Sequence, residues 1–141
     1  MHNQDMDITQ LHDRAELIAT LQTSYLTFTR VFYQLLTGHE FKLSVPAGRE
    51  SHFVTIAREL MYIYNNPNSR TIINVPPGYG KSIMLSTFVA WTMAMHPYSK
   101  YLYISYSKSI ASKHTEIIRR IMQLPEYQDL FGVSVRHDSR G

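Results

Sequence analysis

The most informative part of the sequence is Thr71-Ile72-Ile73-Asn74-Val75-Pro76-Pro77-Gly78-Tyr79-Gly80-Lys81-Ser82. Its first five residues are rich in β-branched side chains, which favour a strand. The glycine-rich turn that follows ends in Gly-Lys-Ser, and the apolar segment 83–95 behind it predicts a helix. A strand, a glycine-rich turn and a helix in this order are the context of a phosphate-binding P-loop.

The residues of this turn have separate physical roles in that interpretation. Gly78 and Gly80 can adopt positive φ angles that direct backbone N–H groups inward, where the end of the next helix also favours an anion. Lys81 would reach the β- and γ-phosphates as the catalytic cation, and the Ser82 hydroxyl would coordinate Mg²⁺. We predict a site for ATP and Mg²⁺ in which the nucleotide contacts Pro77, Gly78, Tyr79, Gly80, Lys81 and Ser82.

The motif departs from the usual G-x-x-x-x-G-K-[ST] pattern at its first position, where Val75 replaces glycine. The alternative is an ordinary strand-to-helix turn in which Lys81 is a solvated residue. A cation in the first turn of a helix opposes the helix dipole, so a purely structural turn would more naturally carry Asp or Ser there. The sequence therefore favours nucleotide binding.

Helix and strand signals continue on both sides of the motif. Apolar residues recur every three or four positions over about 11–36 and 51–64, and further helices are predicted over about 109–123 and 126–130. The segment 101–105 is almost continuously apolar, as buried parallel strands are. This alternation predicts an α/β fold, namely an incomplete P-loop NTPase fold with a parallel sheet flanked by helices and preceded by an N-terminal helical segment.

The chain divides into an N-terminal helical segment, residues 1–50, and the N-terminal part of a P-loop ATPase domain, residues 51–141. Two strands are too few for such a sheet, so we expect the chain to stop partway through a domain. Residues 1–50 carry six acids and four bases, whereas residues 51–141 carry five acids and ten bases. The positive charge of the second part permits contact with nucleic acid without establishing it.

The composition excludes several other classes of protein. Of the 141 residues, 44% are hydrophobic and 18% charged, which is typical of a globular domain. The chain has no Cys, and its seven His residues lack metal-ligand spacing, so we propose neither disulfides nor a zinc site. It has no apolar run of membrane-spanning length and no signal-peptide pattern, so we expect a cytoplasmic protein.

Residues beyond the P-loop carry a resemblance to a known family. They are the run 70–82 with its double proline, then Phe88, Trp91 and Pro97, then 103–107 with Ile110 and Ala111, and finally 130–132. On these residues the stretch 52–140 resembles the N-terminal ATPase region of the large terminase subunit of tailed bacteriophages, a DNA-packaging motor. The resemblance implies a phage or prophage protein in the bacterial cytoplasm. It also implies a coupling segment between nucleotide state and DNA contact at Ser105, Tyr106 and Ser107.

The same resemblance implies partners, and the departures from it limit the activity. The implied partners are double-stranded DNA, the portal protein, the small terminase subunit and, for the full-length protein, further copies of itself.

The sequence also departs from the family. Gly78 stands where family members often carry an Arg that assists the chemistry at the γ-phosphate. We expect this chain to lack the nuclease domain and a Walker B strand ending in Asp, since no acid after the P-loop follows a β-branched run: Glu116, Glu126, Asp129 and Asp138. We therefore expect weak or no ATP hydrolysis from this chain alone.

Three functions fit these observations. The first is the ATP-binding portion of a terminase large subunit, the ATP-driven DNA-packaging motor. The second is a fragment of another P-loop motor, such as a helicase. The third is a truncated, non-catalytic remnant or a module that binds nucleotide or DNA without turnover.

Aromatic and serine residues near the second predicted strand have competing interpretations. Tyr101, Tyr103 and Tyr106 could stack on bases, but such tyrosines more often pack against a sheet. Ser107 or Ser109 could instead cap the helix that follows.

Two more groups of residues are ambiguous in the same way. Lys113, Arg119 and Arg120 either contact DNA phosphates or form a solvated helix face. His52 and Phe53 lie where related ATPases contact adenine, and the simpler interpretation is a helix start with a core phenylalanine.

Overall fold

The computed structural model describes residues 14–43, 45–46 and 48–133. Within these residues it contains six α-helices and no β-strand. The helices are α1 (Arg14–Thr23), α2 (Tyr25–Thr37), α3 (His52–Asn65), α4 (Lys81–Met95), α5 (Lys108–Met122) and α6 (Pro125–Phe131).

The predicted α/β fold with a parallel sheet is wrong for the described part of the chain. Residues 71–75 and 101–105 form neither helix nor strand and pair with no other segment that the structure describes. Ile72 is 86% exposed, and Leu102 and Ile104 are 85% and 80% exposed. The composition of these segments favours an extended backbone, but a strand also needs a hydrogen-bonding partner, which composition does not supply.

Local signals set the ends of the helices. Gly38 ends α2 with a φ of 74°, and its N–H donates to the Gln34 carbonyl. Ser51 precedes α3, and its hydroxyl accepts a hydrogen bond from the Phe53 N–H. Pro125 begins α6, and Gly132 ends it with a φ of 65°. The predicted helices near 51–64, 109–123 and 126–130 are therefore confirmed, with each end shifted by one residue.

The helical segment predicted over about 11–36 is confirmed from residue 14 onward, but Ser24 divides it into α1 and α2. Ser24 has an extended backbone (φ −123°), and its hydroxyl accepts a hydrogen bond from the Thr27 N–H at the start of α2. Serine competes with the helix in this way because its side chain can replace a backbone acceptor. Residues 11–13 of the predicted helix lie outside the described residues.

The core forms between helices, with α4 packed against α2, α3 and α5. Its largest fully buried side chains include Tyr25, Phe28, Phe32, Trp91 and Tyr127. The indole N–H of Trp91 donates to the Leu21 carbonyl at 2.8 Å, which joins α4 to α1. The Tyr127 hydroxyl donates to the Ala90 carbonyl at 2.7 Å, which joins α6 to α4. Aromatic rings with satisfied polar atoms therefore hold α4 in place, and α4 carries the candidate site at its N-terminus.

Candidate functional site

The glycine-rich loop, residues 76–80, lies at the surface directly before α4. Residues 76–79 are exposed, and Tyr79 keeps 53% of its surface accessible. Gly78 and Gly80 have φ angles of 86° and 75°, in the left-handed region that favours glycine. The prediction that both glycines adopt positive φ angles is confirmed.

The N-terminus of α4 has no side-chain cap. Gly80 occupies the N-cap position, and no side chain accepts a hydrogen bond from the first turn; α5 and α6 are uncapped in the same way, whereas Ser24 and Ser51 cap α2 and α3. The first N–H groups of a helix have no acceptor within the helix. The first turn of α4 also contains no acidic residue. This helix end therefore keeps both its N–H donors and its positive dipole available for an anion.

Lys81 and Ser82 are the first two residues of α4. Lys81 is half-buried and Ser82 is exposed. Their placement puts an ammonium group and a hydroxyl beside the uncapped helix end. The described residues contain no cluster of three or more His, Asp or Glu side chains that could hold a metal ion by themselves. The role of Ser82 as a Mg²⁺ ligand, like the catalytic role of Lys81 and the nucleotide contacts of Pro77, Gly78, Tyr79 and Gly80, stays a prediction.

The start of α3 supports the glycine-rich loop. The Nε2 of His52 donates to the Tyr79 carbonyl at 2.9 Å, and the two rings lie edge to face with centroids 5.6 Å apart. The Phe53 ring lies against Gly80, since a Cβ built on Gly80 would be 2.6 Å from its Cε1. Phe53 also packs on Phe41, with ring centroids 4.6 Å apart. The structure therefore confirms Phe53 as a residue packed at the core and brings His52 into contact with the loop.

The predicted coupling segment, residues 105–107, lies directly before α5. Ser107 occupies the N-cap position of α5, but its side chain caps no N–H of the helix. Its hydroxyl is instead 2.9 Å from the Ser109 hydroxyl, and its N–H donates to the Ser105 hydroxyl at 3.4 Å. No hydrogen bond, ion pair or ring contact of the described residues joins this segment to the glycine-rich loop. A coupling role stays a prediction.

The three tyrosines near this segment have different environments. The Tyr101 hydroxyl donates to the Thr92 hydroxyl of α4, and the Tyr103 ring lies 4.4 Å from the His114 ring of α5. These two tyrosines therefore pack on helices instead of the predicted sheet. Tyr106 is 96% exposed, so the packing interpretation is wrong for this residue.

Three cations of α5 remain available for an anionic partner. Lys113, Arg119 and Arg120 are exposed. The two ion pairs of the described residues are Arg14 with Asp129 and Arg58 with Glu50, so neither involves these cations. A contact with DNA phosphates stays a prediction.

Asp138, one of the four acids after the P-loop that were compared with a Walker B acid, lies outside the described residues.

The sequence interpretation missed two buried polar groups of α4. Ser86 and His114 share a hydrogen bond of 3.3 Å between α4 and α5, and burial lowers the pKa of His114. Thr87 lies 3.2 Å from the Tyr25 hydroxyl, which donates to the Met84 carbonyl at 2.5 Å. Burial raises the pKa of Tyr25 to about 12, and hydrogen bonds with Thr87 and Thr29 partly offset that effect. The signal for both groups was the Ser-Thr pair 86–87 inside an otherwise apolar segment.

Sequence comparison connects the chain to one class of phage protein. The chain is 29% identical over 121 residues to the large terminase subunit of Enterobacteria phage T3. The match covers 86% of this chain and 19% of the phage protein, so the chain spans about a fifth of the length of that relative. The resemblance to large terminase subunits is therefore confirmed.

No protein-family model matches the chain, and no solved structure matches it. None of the helices in the described part of the chain is long and apolar enough to cross a membrane.

Proposed function

We propose that this chain provides the nucleotide-binding segment of a terminase-like large subunit, and that the glycine-rich loop and the first turn of α4 bind the phosphates of Mg·ATP. One observation carries the proposal. The N-terminus of α4 is uncapped, follows two glycines with positive φ angles and places Lys81 in its first turn. Similarity to the phage T3 large terminase subunit over 86% of the chain supports the terminase-like part of the proposal.

Each group would contribute a different interaction with the phosphates. The free N–H groups of the loop and of the first turn would donate hydrogen bonds to phosphate oxygens. The Lys81 ammonium would neutralise charge on the β- and γ-phosphates, since a lysine acts on phosphate as a mobile point charge. The Ser82 hydroxyl would supply one ligand to Mg²⁺, which keeps several of its waters when bound to nucleotide.

The similarity to a terminase favours a packaging motor over the alternative of a helicase fragment. In this proposal duplex DNA is the substrate on which the longer protein acts, and the portal protein, the small terminase subunit and further copies of the chain are its partners in the bacterial cytoplasm. Hydrolysis by the chain alone should be weak or absent, because no acid after the P-loop follows a β-branched run, as the acid that organises Mg²⁺ and water in such motors does. Nucleotide binding is therefore the appropriate property to test.

The test is a calorimetric titration of the chain with Mg·ATP, Mg·ADP and Mg·AMP. We expect affinity to fall as phosphates are removed, and Lys81→Ala to lower the affinity for Mg·ATP at least about tenfold, because it removes a charged hydrogen-bond donor. Lys100→Ala is the matched control, because Lys100 is an exposed lysine outside the loop. Failure of the wild-type chain to bind, or equal affinity of the Lys81→Ala variant, would overturn the proposal.

A further inference from the structure

We infer that His52 is a positioning residue of the glycine-rich loop, because its hydrogen bond to the Tyr79 carbonyl fixes the orientation of the Tyr79–Gly80 peptide. The inference rests on the proposed function, since it assigns His52 an effect on phosphate binding. The His52 Nε2 lies 2.9 Å from the Tyr79 carbonyl oxygen. A carbonyl only accepts, so His52 donates this bond.

The direction of the Tyr79 carbonyl also sets the direction of the Gly80 N–H, because both belong to the same trans peptide unit. The carbonyl and N–H of one peptide unit lie in a plane and point in opposite directions. Because the Tyr79 carbonyl points toward His52 on α3, the Gly80 N–H points away from α3. This N–H directly precedes the uncapped first turn of α4. A phosphate cradle needs consecutive N–H groups directed to the same side, and His52 sets the direction of one of them.

The loop needs such support because its glycines do not hold one conformation by themselves. Glycine populates positive and negative φ angles about equally, so Gly78 and Gly80 would interconvert in an isolated peptide. The structure holds both at positive φ. Gly78 has no atom within 4 Å of the place where a Cβ would stand, so its surroundings do not fix it on that side. Gly80, in contrast, is restrained by contact with the Phe53 ring and by the hydrogen bond from His52 to the carbonyl of the Tyr79–Gly80 peptide.

The surroundings of His52 restrict the direction of its ring. His52 is half-buried, and its ring centroid lies 4.0 Å from that of Phe53 and 5.6 Å from that of Tyr79. Neighbouring rings on two sides limit rotation of the imidazole, so the Nε2 donor is preorganised toward the carbonyl. The described hydrogen bonds give the Tyr79 carbonyl no other donor. Removal of the imidazole would therefore free this peptide to rotate.

Three variants of His52 separate the donor from the ring. His52→Phe keeps an aromatic ring and removes the donor, His52→Gln keeps an N–H donor and removes the ring, and His52→Ala removes both. We would measure affinity for Mg·ATP by calorimetry, the ¹⁵N and ¹H shifts of the Gly80 amide by NMR, and the thermal unfolding midpoint. We expect His52→Ala and His52→Phe to weaken binding by roughly three- to tenfold, the usual contribution of one hydrogen bond. His52→Gln should recover most of that loss.

The outcomes distinguish this inference from the proposed function. The inference predicts that the Gly80 amide shifts change in His52→Phe and return toward wild-type values in His52→Gln, with little change in the unfolding midpoint. If the wild-type chain binds Mg·ATP and all three variants bind it equally well, the inference is wrong while the proposed function stands. If affinity follows the unfolding midpoint instead of the donor, His52 has only a structural role and the inference is also wrong. If the wild-type chain does not bind, both fail.

Discussion

The Phe53 ring occupies the space that a side-chain carbon on Gly80 would need. The Cε1 and Cζ atoms of Phe53 lie 2.6 and 3.0 Å from the position of such a carbon. Gly80 also has a φ of 75°, which L-residues with a Cβ rarely adopt. Glycine is therefore required at position 80 for two independent reasons. Gly78, with a φ of 86° and open space around it, is required for only one of them.

These two glycines give a matched pair of substitutions. Gly78→Ala should lower the free energy of unfolding by about 1–2 kcal/mol, the cost of a left-handed conformation for a residue with a Cβ. Gly80→Ala should lower it by a further 1–3 kcal/mol or so, because the new methyl group overpacks against Phe53. Urea denaturation at one temperature measures both.

The double variant Phe53→Ala with Gly80→Ala is the control for that interpretation. Removal of the ring should eliminate the overpacking part of the Gly80→Ala effect and leave the conformational part, which a double-mutant cycle measures as a coupling energy. Equal effects of the two glycine substitutions, or a coupling energy near zero, would contradict the structure.

Lys81→Ala should affect stability in the direction opposite to its effect on binding. A cation in the first turn of a helix opposes the helix dipole, so its removal should leave the free energy of unfolding unchanged or raise it by about 0.3–1 kcal/mol. Chemical denaturation of the ligand-free variant measures this, with Lys100→Ala as the control. A clear loss of stability in Lys81→Ala would mean that Lys81 has a structural role and that its effect on binding is indirect.

His114 should make the stability of the protein depend on pH. Burial lowers the pKa of His114 from its ordinary value of 6.5, so below that pH the unfolded chain binds a proton that the folded chain excludes. Unfolding then takes up a proton, and the free energy of unfolding falls as the pH drops from 6.5 toward the lowered pKa. The groups that face the imidazole are the Ser86 hydroxyl and the Tyr103 ring.

The variant His114→Asn is the control for the pH effect. Its side-chain oxygen can accept from Ser86 and does not titrate, so its stability should fall less than that of the wild type between pH 7.5 and pH 5.5, test values on either side of the ordinary histidine pKa. The other histidines are common to both proteins, and their contributions cancel in the comparison. The same pH dependence in both proteins would show that His114 is not responsible.

Lys113, Arg119 and Arg120 of α5 should contribute to DNA binding that depends on salt and not on sequence. Replacement of Lys113, Arg119 and Arg120 by Ala should weaken binding to a short duplex and reduce the slope of log K against log salt by about 0.9 for each DNA phosphate that is no longer neutralised. Fluorescence anisotropy over a salt series measures this. A control of equal charge is the triple variant Lys42→Ala, Arg58→Ala and Lys100→Ala. If both triple variants lose the same affinity, net charge and not α5 is responsible.

The helices could be predicted from the sequence because their signals are local. Gly38, Ser51 and Pro125 act within a few residues of their own positions, and each marks the helix end that the structure shows. Ser24 carries the same type of signal, but it interrupts an apolar periodicity that continues on both sides. The periodicity alone therefore predicts a helical segment, but not its division into two helices by a serine cap.

The sheet could not be predicted reliably because strand pairing is not a local property. The residues around Ile72 and Ile104 have the composition of buried strands, yet the structure leaves both side chains exposed. The glycine-rich loop illustrates the same limit at the candidate site. Its positive φ angles were predictable from Gly78 and Gly80, whereas the hydrogen bond from His52 joins residues 27 positions apart and depends on the packing of α3.

The exposed apolar segments have a consequence for the behaviour of the chain in solution. Ile72, Leu102 and Ile104 are exposed and lie on unpaired backbone, so each molecule presents extended apolar segments that can associate with those of other molecules. A net charge of +3 provides little electrostatic repulsion between molecules, and added salt screens it further. Colloidal attraction, and not the folding equilibrium, should therefore limit the concentration of monomer, and light scattering should show particles that grow with concentration and salt.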